Sequence, residues 1–75
     1  MKENQRVIIT TLYSPYCGKK ARLIRKRKNK RFGQKTWYIE FEKPVVVHGA
    51  VIKQMQIAER NLAVIPEDYA MVYQN

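Results

Sequence analysis

The residues of this chain best suited to chemistry are cations. Lys19, Lys20, Arg22, Arg25, Lys26, Arg27, Lys28, Lys30, Arg31 and Lys35 follow one another with no acidic residue between them, and they make up most of the chain's 15 lysines and arginines. The remaining bases (Lys2, Arg6, Lys43, Lys53, Arg60) are slightly outnumbered by the acids (Glu3, Glu40, Glu42, Glu59, Glu67, Asp68), so the formal charge of +9 belongs to one segment. A field that concentrated draws polyanions and speeds their association. The guanidinium groups of Arg22, Arg25, Arg27 and Arg31 suit forked phosphate contacts, while the lysines add point charge. Phe32, at the expected tip of a loop, and Tyr38, just beyond it, supply aromatic surface that can stack on a base or cover a sugar. These cations and the two aromatics form the candidate nucleic-acid-binding set.

Other chemistries find little footing. His48 is the lone histidine and is expected in an exposed turn rather than as a general base. Cys17 is the lone cysteine, and no base adjoins it in sequence to make it a nucleophile, although Lys19 and Lys20 stand close. No Cys, His or carboxylate spacing suggests a metal site. Glu40 and Glu42 share one strand face and are expected to pair with the basic strand across the sheet. The expectation is a binding protein, not an enzyme, with no cofactor and no metal.

The elements that hold these residues read mostly as strands. Val7 to Tyr13 is β-branched and aromatic and is closed by the turn-forming Ser14-Pro15. Ala21-Arg22-Leu23-Ile24 starts a second strand that runs into the basic tract, and Asn29 to Gly33 reads as the tip of a long hairpin. In the return strand, Thr36 to Glu42, alternation puts Trp37, Ile39 and Phe41 on a core face and Tyr38, Glu40 and Glu42 on the other. Pro44 is expected to end it. Val45 to Val47 and Val51-Ile52 flank His48-Gly49, a two-residue hairpin turn. The stretch 50–62 fits two patterns. One is a strand through Ile57, a helical turn over Ala58 to Asn61 and a last strand from Leu62 to Ile65. The other is a helix with Val51, Met55, Ala58 and Leu62 on one stripe. Tyr13 and Tyr16 flank the first loop, where each suits packing over a barrel mouth as well as ligand contact. Residues 67–75 are open to a turn of helix packed over one end.

Composition sets the frame. At 75 residues with 45% hydrophobic content, the chain is one domain with a small core, too apolar for a disordered tail, with margins at 1–5 and 70–75 that need not be ordered. No apolar run reaches the length of a membrane span, and the polar start is unlike a signal peptide. A single cysteine suits a reducing interior, so a cytoplasmic setting, nucleoid association included, is expected.

Val7 to Leu12 followed by Gly18-Lys19-Lys20-Ala21-Arg22-Leu23-Ile24 resembles the strand, turn and Gly-Lys-x-Gly-x-Val run of KOW-type SH3-like barrels, with Ala21 where that pattern has Gly. Arg60 to Ile65 resembles their final turn and strand. Ser14-Pro15 through Leu23, and Ile65-Pro66-Glu67-Asp68-Tyr69, are similar to the small basic chromatin proteins of crenarchaea. The resemblance implies an all-β, SH3-like small barrel of about five strands, with a long basic hairpin between the second and third and a helical turn before the last. The alternative architecture is a three-stranded sheet plus one helix, as in the arm-binding domains of phage integrases. The expected partner is nucleic acid, DNA slightly ahead of RNA, bound with low sequence specificity. The competing partner is an acidic protein surface, met by an accessory subunit of the kind that similar barrels supply in photosynthesis.

Overall fold

Alternating side chains decide which face of each strand is buried. Trp37, Ile39 and Phe41 point inward as expected, at 3%, 0% and 6% exposure. Val7 and Ile9, Ala21 and Leu23, Val45, Ile57 and Leu62 complete the core, so every strand contributes to one cluster. The computed structural model describes residues 1–28 and 35–66. Its strands are β1 (Arg6–Ile9), β2 (Lys20–Lys28), β3 (Lys35–Val47), β4 (Ala50–Ala58) and β5 (Leu62–Val64), with a 3-10 turn at Glu59–Asn61 before the last. All pairings are antiparallel, in the order β4-β3-β2-β1-β5. Among the described residues there is no α-helix, and the inward side chains of all five strands meet one another in a single cluster. This is the five-stranded all-β layout expected above. The sheet-plus-helix alternative fails because 50–62 is strand, 3-10 turn and strand.

Two boundaries differ from expectation by several residues, while the 3-10 turn starts one residue later and β5 ends one residue earlier than expected. The first strand stops at Ile9 instead of reaching Tyr13. Backbone bonds there turn the chain: Gly18 N–H donates to the Ile9 carbonyl (2.8 Å), and Thr10 N–H donates to that of Asn61 (2.9 Å). Tyr13 then sits at φ 60 and is fully exposed. Tyr16 takes the packing role instead, its ring stacked on Phe41 with centroids 5.7 Å apart and planes 13° from parallel.

Pro44 does not end β3. Pairing with β4 shifts register between Glu40, opposite Gln54, and Val45, opposite Ile52, so β3 carries extra residues there. On the other side, Phe41 opposite Ala21 is the last pair with β2. Pro44 falls in this unpaired bulge, where its missing N–H removes no ladder bond.

The β3–β4 turn is His48-Gly49, as expected, with both residues at positive φ (50 and 80). Two consecutive positive φ values make a type I′ turn, whose twist matches that of the strands. A Cβ on Gly49 would meet nothing within 4 Å, so only backbone conformation is at stake. Gly49→Ala is expected to cost about 1–2 kcal/mol, whereas His48→Asn, a residue favoured at this turn position, is expected to raise stability. Urea unfolding of both variants checks the pair of signs.

Candidate nucleic-acid interface

A β-bulge sets the phase of the basic strand. From Ala21 to Leu23, β2 pairs with β3 in simple register: Ala21 with Phe41, Arg22 with Glu40, Leu23 with Ile39. Continued unchanged, that register would set Ile24 opposite Tyr38 and Arg25 opposite the buried Trp37. The register shifts between Leu23 and Arg25, so Arg25 faces Tyr38 and Arg27 faces Thr36. Residues opposite one another share a face. Arg22, Arg25 and Arg27 therefore project from the outer face with Tyr38, while Ala21 and Leu23 remain in the core. Had the alternation run straight, Ile24 would have stood opposite Tyr38, and Arg25 would have shared the face of Trp37 that exposed Lys26 now borders.

Each of these guanidiniums is held in place. Arg25 lies over the Tyr38 ring, its Cζ 4.4 Å from the centroid. Arg27 donates to Gln56 Oε1 across β3. Arg22 donates to the Asn4 carbonyl (2.8 Å), and Asn4 N–H donates in turn to the Leu23 carbonyl (2.7 Å). None of these contacts uses a carboxylate, so the positive charge is positioned without being cancelled. Lys20, Lys26 and Lys35 are exposed along the same hairpin strands, and Lys26 stands opposite Trp37 where the strand leaves the core. Lys19 lies at the other end of β2. There it lines, with Lys20, Lys43 and Glu42, a cleft of about 540 Å³ beside the β3 bulge. Lys28 belongs to β2, whereas Lys30, Arg31 and Phe32, with the expected hairpin tip, lie outside the described residues, as does the tail 67–75.

The acidic pair behaves differently from expectation. Glu42 reaches past the basic strand to Arg6 on β1, forming the one ion pair among the described residues. Glu40 stands opposite Arg22 in register, yet Arg22 turns to Asn4. The Arg6 hydrogen bond holds the Glu42 carboxyl below its ordinary 4.5 despite partial burial, and Arg6, Lys20 and Arg22 add charge in the same direction. A carboxylate held low stabilises the fold above its unfolded pKa and loses that contribution as pH falls through the folded one. The stability gap between wild type and Glu42→Gln is thus expected to be constant above about pH 5 and to close in more acid solution. Thermal melts of both proteins from pH 7 to pH 3 measure it.

Cys17 is exposed and unbridged in the first loop, and His48 is exposed in its turn. Among the described residues, no three His, Cys, Asp or Glu side chains converge as a metal site. No helix among them is long and apolar enough to cross a membrane. Comparison with protein-family models, curated proteins and solved structures finds no match to this chain.

Sequence reasoning missed Gln56 and Asn4, which orient two of the arginines from outside the basic run. A neutral Gln on the strand beyond β3 carried no signal of that role. The one available clue was the apolar pair Leu23-Ile24, which breaks alternation and marks the bulge.

Proposed function

We propose that this protein binds nucleic acid through the outer face of β2 and β3, contacting phosphates with Lys20, Arg22, Arg25 and Arg27, while Lys19, Lys26, Lys28 and Lys35 of the same hairpin add to the attracting field. The observation that carries this function is the row of arginines on one rigid sheet face, each oriented by a neutral partner, with its charge left available. A surface built only for solubility needs no such orientation, since solvated cations require no fixed geometry. Lys30, Arg31 and Phe32 complete the set by their place in the sequence.

Phosphate contacts position a protein on any sequence, so specificity is low. DNA stands slightly ahead of RNA, because no motif of the chain is RNA-specific. We assign the protein to the SH3-like barrels on its strand order and its 3-10 turn before β5, and to the cytoplasm on its lone unbridged cysteine. No catalytic role belongs to this function. The test is titration of the protein with duplex DNA, single-stranded DNA and RNA at several salt concentrations. Salt-dependent binding supports the function. Absence of all three, with salt-sensitive binding to an acidic protein in its place, would move it to a docking module.

A further inference from the structure

Arg25 covers the face of Tyr38 that a stacking base would need. Tyr38 is half-buried, its ring flanked in register by Arg25 on β2 and Gln56 on β4, and the Arg25 guanidinium sits 4.4 Å from the ring centroid. At that distance the guanidinium is in contact with the ring, with no room between them for a base. A base approaching the outer sheet face therefore meets the guanidinium first. A guanidinium over a ring can stack on it with one face and offer the other to solvent, and nucleobases stack on such planes as they do on aromatics.

We infer that the solvent-facing plane of Arg25 is a stacking platform for one unpaired base, that Tyr38 is the positioning residue behind it, and that the preferred ligand is single-stranded nucleic acid. This inference rests on the nucleic-acid function proposed above. It commits to a strand with free bases because a paired base keeps both faces inside the helix stack and offers neither to a flat sheet surface. Three features of the fold converge on it. The bulge at Leu23/Arg25 exchanges Ile24 for Arg25 opposite Tyr38. Arg27, next on the same face, is drawn sideways to Gln56. Arg22, on the other side, is drawn away to the Asn4 carbonyl. Arg25 is thus the central guanidinium of the row, the one seated over a ring while its neighbours are held by hydrogen bonds.

The experiment compares Arg25→Lys, Tyr38→Leu and the double variant with wild type, by fluorescence anisotropy on oligo(dT), oligo(rU) and a mixed-sequence duplex. Arg25→Lys keeps the charge and removes the plane; Tyr38→Leu keeps bulk and removes the ring. Arg25→Lys is expected to weaken single-strand binding roughly tenfold, to leave duplex affinity within about twofold, and to leave the single-strand salt slope unchanged. Tyr38→Leu is expected to do the same in the wild-type background and to add little on top of Arg25→Lys, because the ring acts through the guanidinium. Wild-type single-strand affinity in Arg25→Lys, or equal losses on duplex, would overturn the platform while leaving phosphate binding intact. Full additivity of the two substitutions would overturn the positioning role and return the base to Tyr38. Failure of wild type to bind any of the three probes would overturn the nucleic-acid function itself. Melting curves confirm that each variant is folded, and the exposed Arg25→Lys site carries the test alone if Tyr38→Leu unfolds.

Discussion

Replacing Trp37 by alanine is expected to cost about 3–5 kcal/mol and to lower the melting temperature by at least about 12 °C, the shift that such a loss produces in a domain of this size. Trp37 is 3% exposed, sits near the start of β3 opposite Lys26 on one side and Ile57 on the other, and its Nε1–H donates to Glu59 Oε1 at 3.1 Å. The side chain therefore fills the core and also pins the 3-10 turn that leads into β5. Truncation leaves a cavity with few neighbours free to collapse into it, because the same small cluster is shared by all five strands. A domain of 75 residues holds in total roughly 4–11 kcal/mol, so the loss removes a large fraction of the total stability. Trp37→Phe separates the two roles: it keeps most of the ring area and loses the bond to Glu59, for about 1 kcal/mol. An unchanged melting temperature in Trp37→Ala would contradict the core assignment.

The parts of the fold that were legible in the sequence are those where a single local rule governs. Alternation at Trp37, Ile39 and Phe41 located the core face, and His48-Gly49 announced its own turn, since few residue pairs accept two positive φ values. The strand, turn and strand at 50–62 followed from β-branched residues at its start and Leu62 to Ile65 at its end, against a helical stripe that fitted nearly as well. What settled it is the long-range pairing of Ala50–Ala58 with β3, which no local pattern contains.

The parts that were not legible depend on partners distant in sequence. Pro44 is an ordinary strand terminator unless the strand is already bulged there, and the register that creates the bulge is set by β4. Tyr13 and Tyr16 were indistinguishable until Phe41 was placed beneath one of them. At the candidate site, the cations were plain from composition and their exposure from charge alone. Their orientation was not. Gln56, Asn4 and the Arg25–Tyr38 stack arise from the shift at Leu23/Arg25, and the destination of Glu42 at Arg6 spans two strand spacings.

The central claim is that the arginine row on the outer face of the sheet engages phosphates. Arg22, Arg25 and Arg27 are all exposed, and changing them together to alanine leaves the core untouched, so the triple variant is expected to fold. Removing three phosphate-binding guanidiniums at once should weaken binding on the order of a hundredfold or more at low salt. The measurement that tests the claim most directly is the slope of log K against log salt for wild type and triple variant on the same oligonucleotides. With about five phosphates contacted, the wild-type slope is expected near −3.5 on single strands and −4.5 on duplex, and the triple variant is expected to flatten each by about 2 to 3. A wild-type slope near zero, or a triple variant that binds with unchanged affinity and slope, would contradict it.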